Sequence, residues 1–230
     1  MTEQIKISVV RADELDESTR DWCFSLFQQN ARQCRSEPSA EDEAETFEAL
    51  SNPANGVLLA TVYIKTEEDA GSEPEDIVLK APKLPVVHEG EEPPNKKHKN
   101  EQKNAQTKVS DDLAGFLLYD FDDIEMEPDE GFCAYNLEVH VSPKNRKKGI
   151  GAALLSALER IAIEAGASCL KLTCSKKNEG ALHFYDSHGF VLDPDNPDDS
   201  FHVDYVILRK PLLKTKEQTA KEQLKKTPLK

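Results

Sequence analysis

The run Arg146-Lys147-Lys148-Gly149-Ile150-Gly151 constrains this chain more than any other stretch. Three cations and Gly149 stand directly before Ile150, and Gly151 follows it; Ile150, Ala153, Leu154, Ala157, Leu158, Ile161, Ala162 and Ala165 recur at helical spacing. That spacing predicts an amphipathic helix with one continuous apolar stripe, and Gly166 is placed to end it. A helix N-terminus offers unpaired N–H groups and the positive end of the macrodipole, and both attract anions. Gly149 and Gly151 allow the backbone to approach a phosphate without a Cβ in the way. Such a loop suits a pyrophosphate, although a tight basic turn without a ligand is the plainer reading of the loop alone. The Lys-Ser/Thr pair of a P-loop is missing, which argues against nucleotide triphosphate hydrolysis.

Around this centre the periodicity alternates between strand and helix. Strands are predicted at Ile5 to Arg11, Gly56 to Lys65, Leu113 to Tyr119, Phe132 to Val141, Cys169 to Cys174, Phe190 to Leu192 and Phe201 to Leu208. Helices are predicted at Glu17 to Arg35, Glu41 to Leu50 and Asn178 to His188, the last ended by Gly189. Between Thr66 and Asp112 there are five of the 13 prolines, dense charge and no aromatic residue. We expect a disordered insertion there. Closing a longer loop costs little, so the strands on either side can still pair as a hairpin. The organisation expected is 1–65 and 113–210 as two parts of one domain, 66–112 as the insertion and 211–230 as a basic tail. Pro93-Pro94-Asn95-Lys96-Lys97-His98-Lys99 resembles a nuclear-import signal, so nucleus and cytoplasm are the expected locations, against a merely solvated charge cluster.

Of 29 basic and 43 acidic residues, eight basic and two acidic lie from Arg209 to the end. The rest of the chain carries 21 and 41, a net of −20. Such a body repels nucleic-acid phosphates and steers in a basic partner. No apolar run approaches the roughly 18 residues needed to span a bilayer, so no membrane association is expected. The five cysteines have no metal-ligand spacing and are expected to be small reduced hydrophobes. His140, His183, His188 and His202 form no ligand pattern, so no metal is expected.

A second motif follows the loop across one strand: Asn178-x-x-Ala181-x-x-Phe184-Tyr185-x-x-x-Gly189-Phe190. Together the two resemble the GNAT acetyltransferase superfamily over Tyr135 to Phe190. The resemblance implies a single α/β GNAT domain, with a mixed, mostly antiparallel sheet splayed at the coenzyme and helices on both faces. It implies acetyl-CoA as donor, its pyrophosphate on the amides of Arg146, Lys147, Lys148, Gly149, Ile150, Gly151 and Ala152. Val139, His140 and Val141 would meet the pantetheine arm, and Asn178 would help hold the coenzyme. Glu138 would be the general base and Tyr185 the acid that protonates the leaving thiolate.

Three further stretches are similar to the N-terminal acetyltransferase D family. These are Ile7-x-x-Val10-Arg11-Ala12-x-Glu14 with Trp22-x-Phe24-x-Leu26-x-x-x-Asn30, Glu138 to Gly151, and Asp204-Tyr205-x-Ile207-Leu208. That family acetylates the α-amine of the Ser-Gly-Arg-Gly start of core histones, so a basic protein N-terminus such as a histone tail is the expected partner. Tyr135 and Tyr205 would line the peptide groove, and Asp122 and Asp123 are placed to hold a substrate arginine. This chain departs from the family at Val57 to Leu59, where the family has a tryptophan, and at Leu137, where it has a tyrosine. It also carries the insertion. Acetylation of a lysine or small amine, and acyl-CoA binding without turnover, stay open as alternatives. Oligomeric state is not legible.

Overall fold

A computed structural model describes residues 2–34, 38–65, 112–122 and 132–212. Its centre is a seven-stranded sheet in the order β1-β2-β3-β4-β5-β7-β6. The strands are β1 (Thr2–Arg11), β2 (Gly56–Lys65), β3 (Leu113–Asp122), β4 (Cys133–Val141), β5 (Cys169–Ser175), β6 (Val191–Leu192) and β7 (Tyr205–Pro211). Neighbours run antiparallel except β4 and β5, which are parallel. Among the described residues four α-helices flank the sheet: α1 (Glu17–Cys34), α2 (Ala40–Ala49), α3 (Ile150–Ala165) and α4 (Glu179–Ser187). The mixed, mostly antiparallel α/β domain expected from the sequence is therefore present. So is the hairpin of β2 and β3 on either side of the insertion; residues 66–111, with the basic cluster at 96–99, and residues 213–230 of the tail lie outside the described residues, whereas Pro211 ends β7 and Leu212 is buried.

Two apolar clusters show why helices occupy both faces. Along β2, Val57 faces α1 and α2 while Leu58 and Ala60 face α3. Along β3, Phe116 and Leu118 face the first pair while Leu117 and Tyr119 face the second. This period of two is what a strand buried on both faces requires. The α3 stripe buries Ile150, Leu154, Leu158 and Ile161 completely or nearly so. Gly166, at φ +90°, ends α3 as the sequence predicted.

Three expectations are corrected. The last long strand starts at Tyr205, not Phe201, because Asp199–Phe201 forms a 3-10 turn and His202 sits at φ +52°. Phe201 is consequently 70% exposed. Phe190 leaves the short strand β6 because its N–H caps α4 at the Tyr185 carbonyl. The cysteines are not all thiols, since Cys133 and Cys169 are paired in register on β4 and β5 and joined by a disulfide, while Cys23 and Cys174 are buried thiols outside any disulfide. Spacing along the chain carries no sign of this pairing, which parallel registry alone creates.

Candidate functional site

Among the described strands, the sheet opens where the one parallel pair separates. β4 and β5 are in register over Cys133–Asn136 and Cys169–Leu172. Beyond Asn136, β4 keeps β3 as a partner while β5 departs. The Ser142 N–H donates to the Ala114 carbonyl at 2.8 Å. Because the hydrogen-bonding edge alternates along an antiparallel ladder, His140 and Glu138 also turn their peptide groups to β3. Val139 and Val141 turn theirs to the gap. Of the three strand residues the sequence nominated for the pantetheine arm, His140 therefore contributes its side chain to the cleft rather than its peptide.

The gap widens into a cleft of about 700 Å³ floored by β4 and walled by α1, the basic loop and α4. That volume lies in the range of about 300–1,000 Å³ usual for small-molecule sites. At its mouth the loop has the geometry an anion needs. Lys147 is left-handed at φ +60° and Gly149 at φ +84°, a backbone shape that turns successive N–H groups inward. Gly149 caps α3, and a Cβ there would meet nothing within 4 Å. A Cβ on Gly151 would come 3.4 Å from the Phe184 ring, so α3 and α4 close on each other at that point. Arg146, Lys147, Gly149, Gly151, Ala152 and Asn178 all line the cleft. Asn178 also accepts the Ala181 N–H at 3.1 Å as the N-cap of α4. Ile150 points into the core, and Lys148 turns outward to Glu3 at 3.1 Å.

A β-bulge sorts the reactive side chains. Leu118 opposes Glu138 and Tyr119 opposes Asn136, so Leu137 is an extra residue on β4. In a regular strand Asn136 and Glu138 would share a face. With the bulge, Glu138 turns with Leu118 toward α1, and Asn136 turns with Tyr119 toward α3 and α4. Asn136 is buried, and its Nδ2 donates to the Tyr185 hydroxyl at 3.4 Å. Burial first, then the nearby Cys174 and Glu138, pushes the Tyr185 phenol far above its ordinary value, so it stays protonated. The Asn136 Oδ1 is buried without a partner in the described structure, and Asn136 lines the cleft.

On the other side the Glu138 carboxylate accepts from His140 Nε2 at 2.7 Å. Glu138 is 29% exposed and His140 12%. His140 packs against the rings of Phe27 and Phe116. Its Nδ1 lies 3.3 Å from the Asn30 amide nitrogen, which also donates to the Val141 carbonyl at 3.2 Å. Arg146 Nη2 donates to Asn30 Oδ1 at 2.5 Å.

Glu138, Tyr185, the loop and Asn178 thus converge on one cleft. Tyr135 stands beside it, its hydroxyl bonded to Thr173, which lines the cleft. Tyr205 starts β7 opposite Ser175. Asp122 ends β3 opposite Cys133, and the rest of that acidic loop, Asp123 included, is outside the described residues. The sequence reading missed Asn136, the bulge at Leu137 and the part of α1 in the cleft. A signal for Asn30 existed: it follows Leu26 by four and Phe27 by three, a polar residue on an apolar stripe.

The fold and cleft define a class, α/β enzymes that hold a pyrophosphate-bearing donor where a sheet divides. Residues 77–190 match the family model for the acetyltransferase (GNAT) family. A protein described as a GNAT-family acetyltransferase from Desulfovibrio desulfuricans superposes with a TM-score of 0.54 at 14% identity, over 90% of this chain and 100% of its own. An acetyltransferase of the GNAT family from Staphylococcus aureus Mu50 gives 0.54 at 13% identity, over 90% and 100%. No curated protein matches the chain in sequence. The chain is a single GNAT-fold domain and an acetyl-CoA-dependent acetyltransferase of the GNAT type.

Proposed function

We propose that this protein acetylates the α-amine of basic protein N-termini, with the Ser-Gly-Arg-Gly start of core histones as the preferred acceptor. The observation that carries the reading is the bulge-sorted pair, Glu138 on the α1 side of the cleft and Tyr185 on the α4 side. Acetyl-CoA supplies an acetyl group activated as a thioester. The loop N–H groups of Lys147 to Ala152, with Arg146 and Lys147, would hold its pyrophosphate. The Val139 peptide groups and the Val141 N–H, which face the gap, suit the amides of its arm, while the Val141 carbonyl is held by Asn30. Glu138 takes the proton from the acceptor amine, directly or through one water. An α-amine titrates near pKa 8, so an ordinary carboxylate suffices. Tyr185 accepts a hydrogen bond from Asn136, which leaves its own O–H proton to be given to the departing sulfur.

Two further points support the acceptor. The chain outside its C-terminal 22 residues carries −20, which favours a basic peptide. The stretches quoted above that resemble the N-terminal acetyltransferase D family lie at both ends of the domain. The test is incubation with acetyl-CoA and peptides that begin Ser-Gly-Arg-Gly, with the label located by mass spectrometry. Label on the α-amine is expected. Label on an internal lysine, or coenzyme binding with no transfer to any peptide, would replace this reading.

A further inference from the structure

The unbroken hydrogen-bond chain Arg146–Asn30–His140–Glu138 joins the basic loop to the proposed base through helix α1. Each link fixes the next. A guanidinium only donates, so the Asn30 atom that Arg146 meets at 2.5 Å is the carbonyl oxygen. The Asn30 nitrogen is then the atom beside both the Val141 carbonyl and His140 Nδ1. It spends one N–H on each. His140 Nδ1 must accept, so the ring proton sits on Nε2 and is donated to Glu138 at 2.7 Å. Asn30 is buried, and the ring lies between Phe27 and Phe116, which leaves it little freedom to turn.

From this geometry we infer that His140 is a positioning residue, held neutral in its Nε2–H form by Asn30 so that it aims the Glu138 carboxylate without charging it. An imidazolium would need an acceptor at Nδ1, where Asn30 offers a donor. It would also set a full positive charge against Glu138 and weaken the carboxylate as a base. The neutral ring orients Glu138 without setting a full charge against it. Arg146 extends the arrangement to the anion-binding loop, because its contact decides which way the Asn30 amide faces. This rests on Glu138 being the base of the proposed reaction, but the ring tautomer can be measured without turnover.

The experiment uses the full chain. Ring-nitrogen NMR shifts should report the Nε2–H tautomer for His140 in the native protein, and a doubly protonated ring in Asn30→Asp, whose carboxylate would accept from Nδ1. In steady-state assays, His140→Leu should lower kcat roughly 10-fold or more, the scale of a misplaced catalytic group, with acetyl-CoA affinity and melting temperature near native. His140→Gln, whose amide N–H can still reach Glu138, should recover most of that loss. An Nδ1–H tautomer or an imidazolium in the native protein would overturn the inference, as would full kcat in a folded His140→Leu. A native protein that transfers acetyl to no amine would instead sink the acceptor reading. The tautomer and its change in Asn30→Asp would still stand as support for the chain.

Discussion

At the scale of single residues the proposed chemistry rests on a carboxylate and a phenol held on opposite sides of a cleft. Glu138→Gln should lower kcat by about 100-fold or more, the usual scale for losing a general base. Acetyl-CoA affinity should hardly change, because Glu138 turns its peptide to β3 and its side chain toward α1. Calorimetry beside single-turnover kinetics separates the two effects, and unchanged kcat would remove Glu138 from the mechanism. The loop makes a separate prediction. At Gly149 a methyl meets no atom but the backbone is left-handed, so Gly149→Ala should cost about 1 kcal/mol of strain and keep coenzyme binding. Gly149→Glu and Gly151→Glu should abolish binding, because each sets a negative charge in the proposed pyrophosphate site. A folded Glu variant that binds acetyl-CoA normally would refute the loop assignment. That Glu138, Tyr185 and the loop come to one cleft was legible because their signal is local: motifs with fixed offsets. Asn136 was not, because its contact with Tyr185 spans 49 positions of sequence.

Elements were legible where period and punctuation agreed. β2 and α3 fall at the residues predicted, bounded by Gly56 and Gly166. The misplacement at Phe201 came from an aromatic residue that resembled strand but sits on a turn bonded by the Asp198 carboxylate to the Ser200 N–H at 2.7 Å. The start of α1 offers a test of element stability. Asp16 accepts from the Thr19 N–H at 2.8 Å and from the Ser18 and Thr19 hydroxyls at 2.6 and 2.9 Å. Partial burial pushes its carboxyl up, but these donors outweigh it and hold it below the ordinary value of 3.8. Asp16→Ala should cost about 1 kcal/mol, the usual worth of an N-cap, or roughly 2–4 °C in a domain of this size. A depressed carboxylate stabilises above its unfolded pKa, and that contribution fades as pH falls through the folded value. The difference between native and Asp16→Ala should therefore shrink on acidification below 3.8. A gap constant with pH would show that charge has no part in the cap.

For the whole molecule, the sheet is two blocks, β1–β4 and β5–β7, in register over only four residues of each strand at their join. The sequence announced each block but not the disulfide between Cys133 and Cys169, because only the assembled sheet sets those residues side by side. The insertion leaves and re-enters where β2 and β3 already pair, Thr61 against Leu113. Replacing residues 66–110 by a short Gly/Ser linker should leave melting temperature and acetyl-CoA affinity near native, since loop closure varies slowly with length. A collapse in melting temperature would show that the segment packs on the domain. There remains the bulge at Leu137. One residue decides that helices from opposite ends of the chain, α1 with Asn30 and α4 with Tyr185, address a single point between them. The arrangement is a matter of parity: with an even count Asn136 and Glu138 would look the same way, and the identical set of side chains would be mute. Removing Leu137 deletes no functional group, yet it should yield a folded protein without activity. A variant of this kind that still turned over would mean that chemistry, and not counting, governs the site.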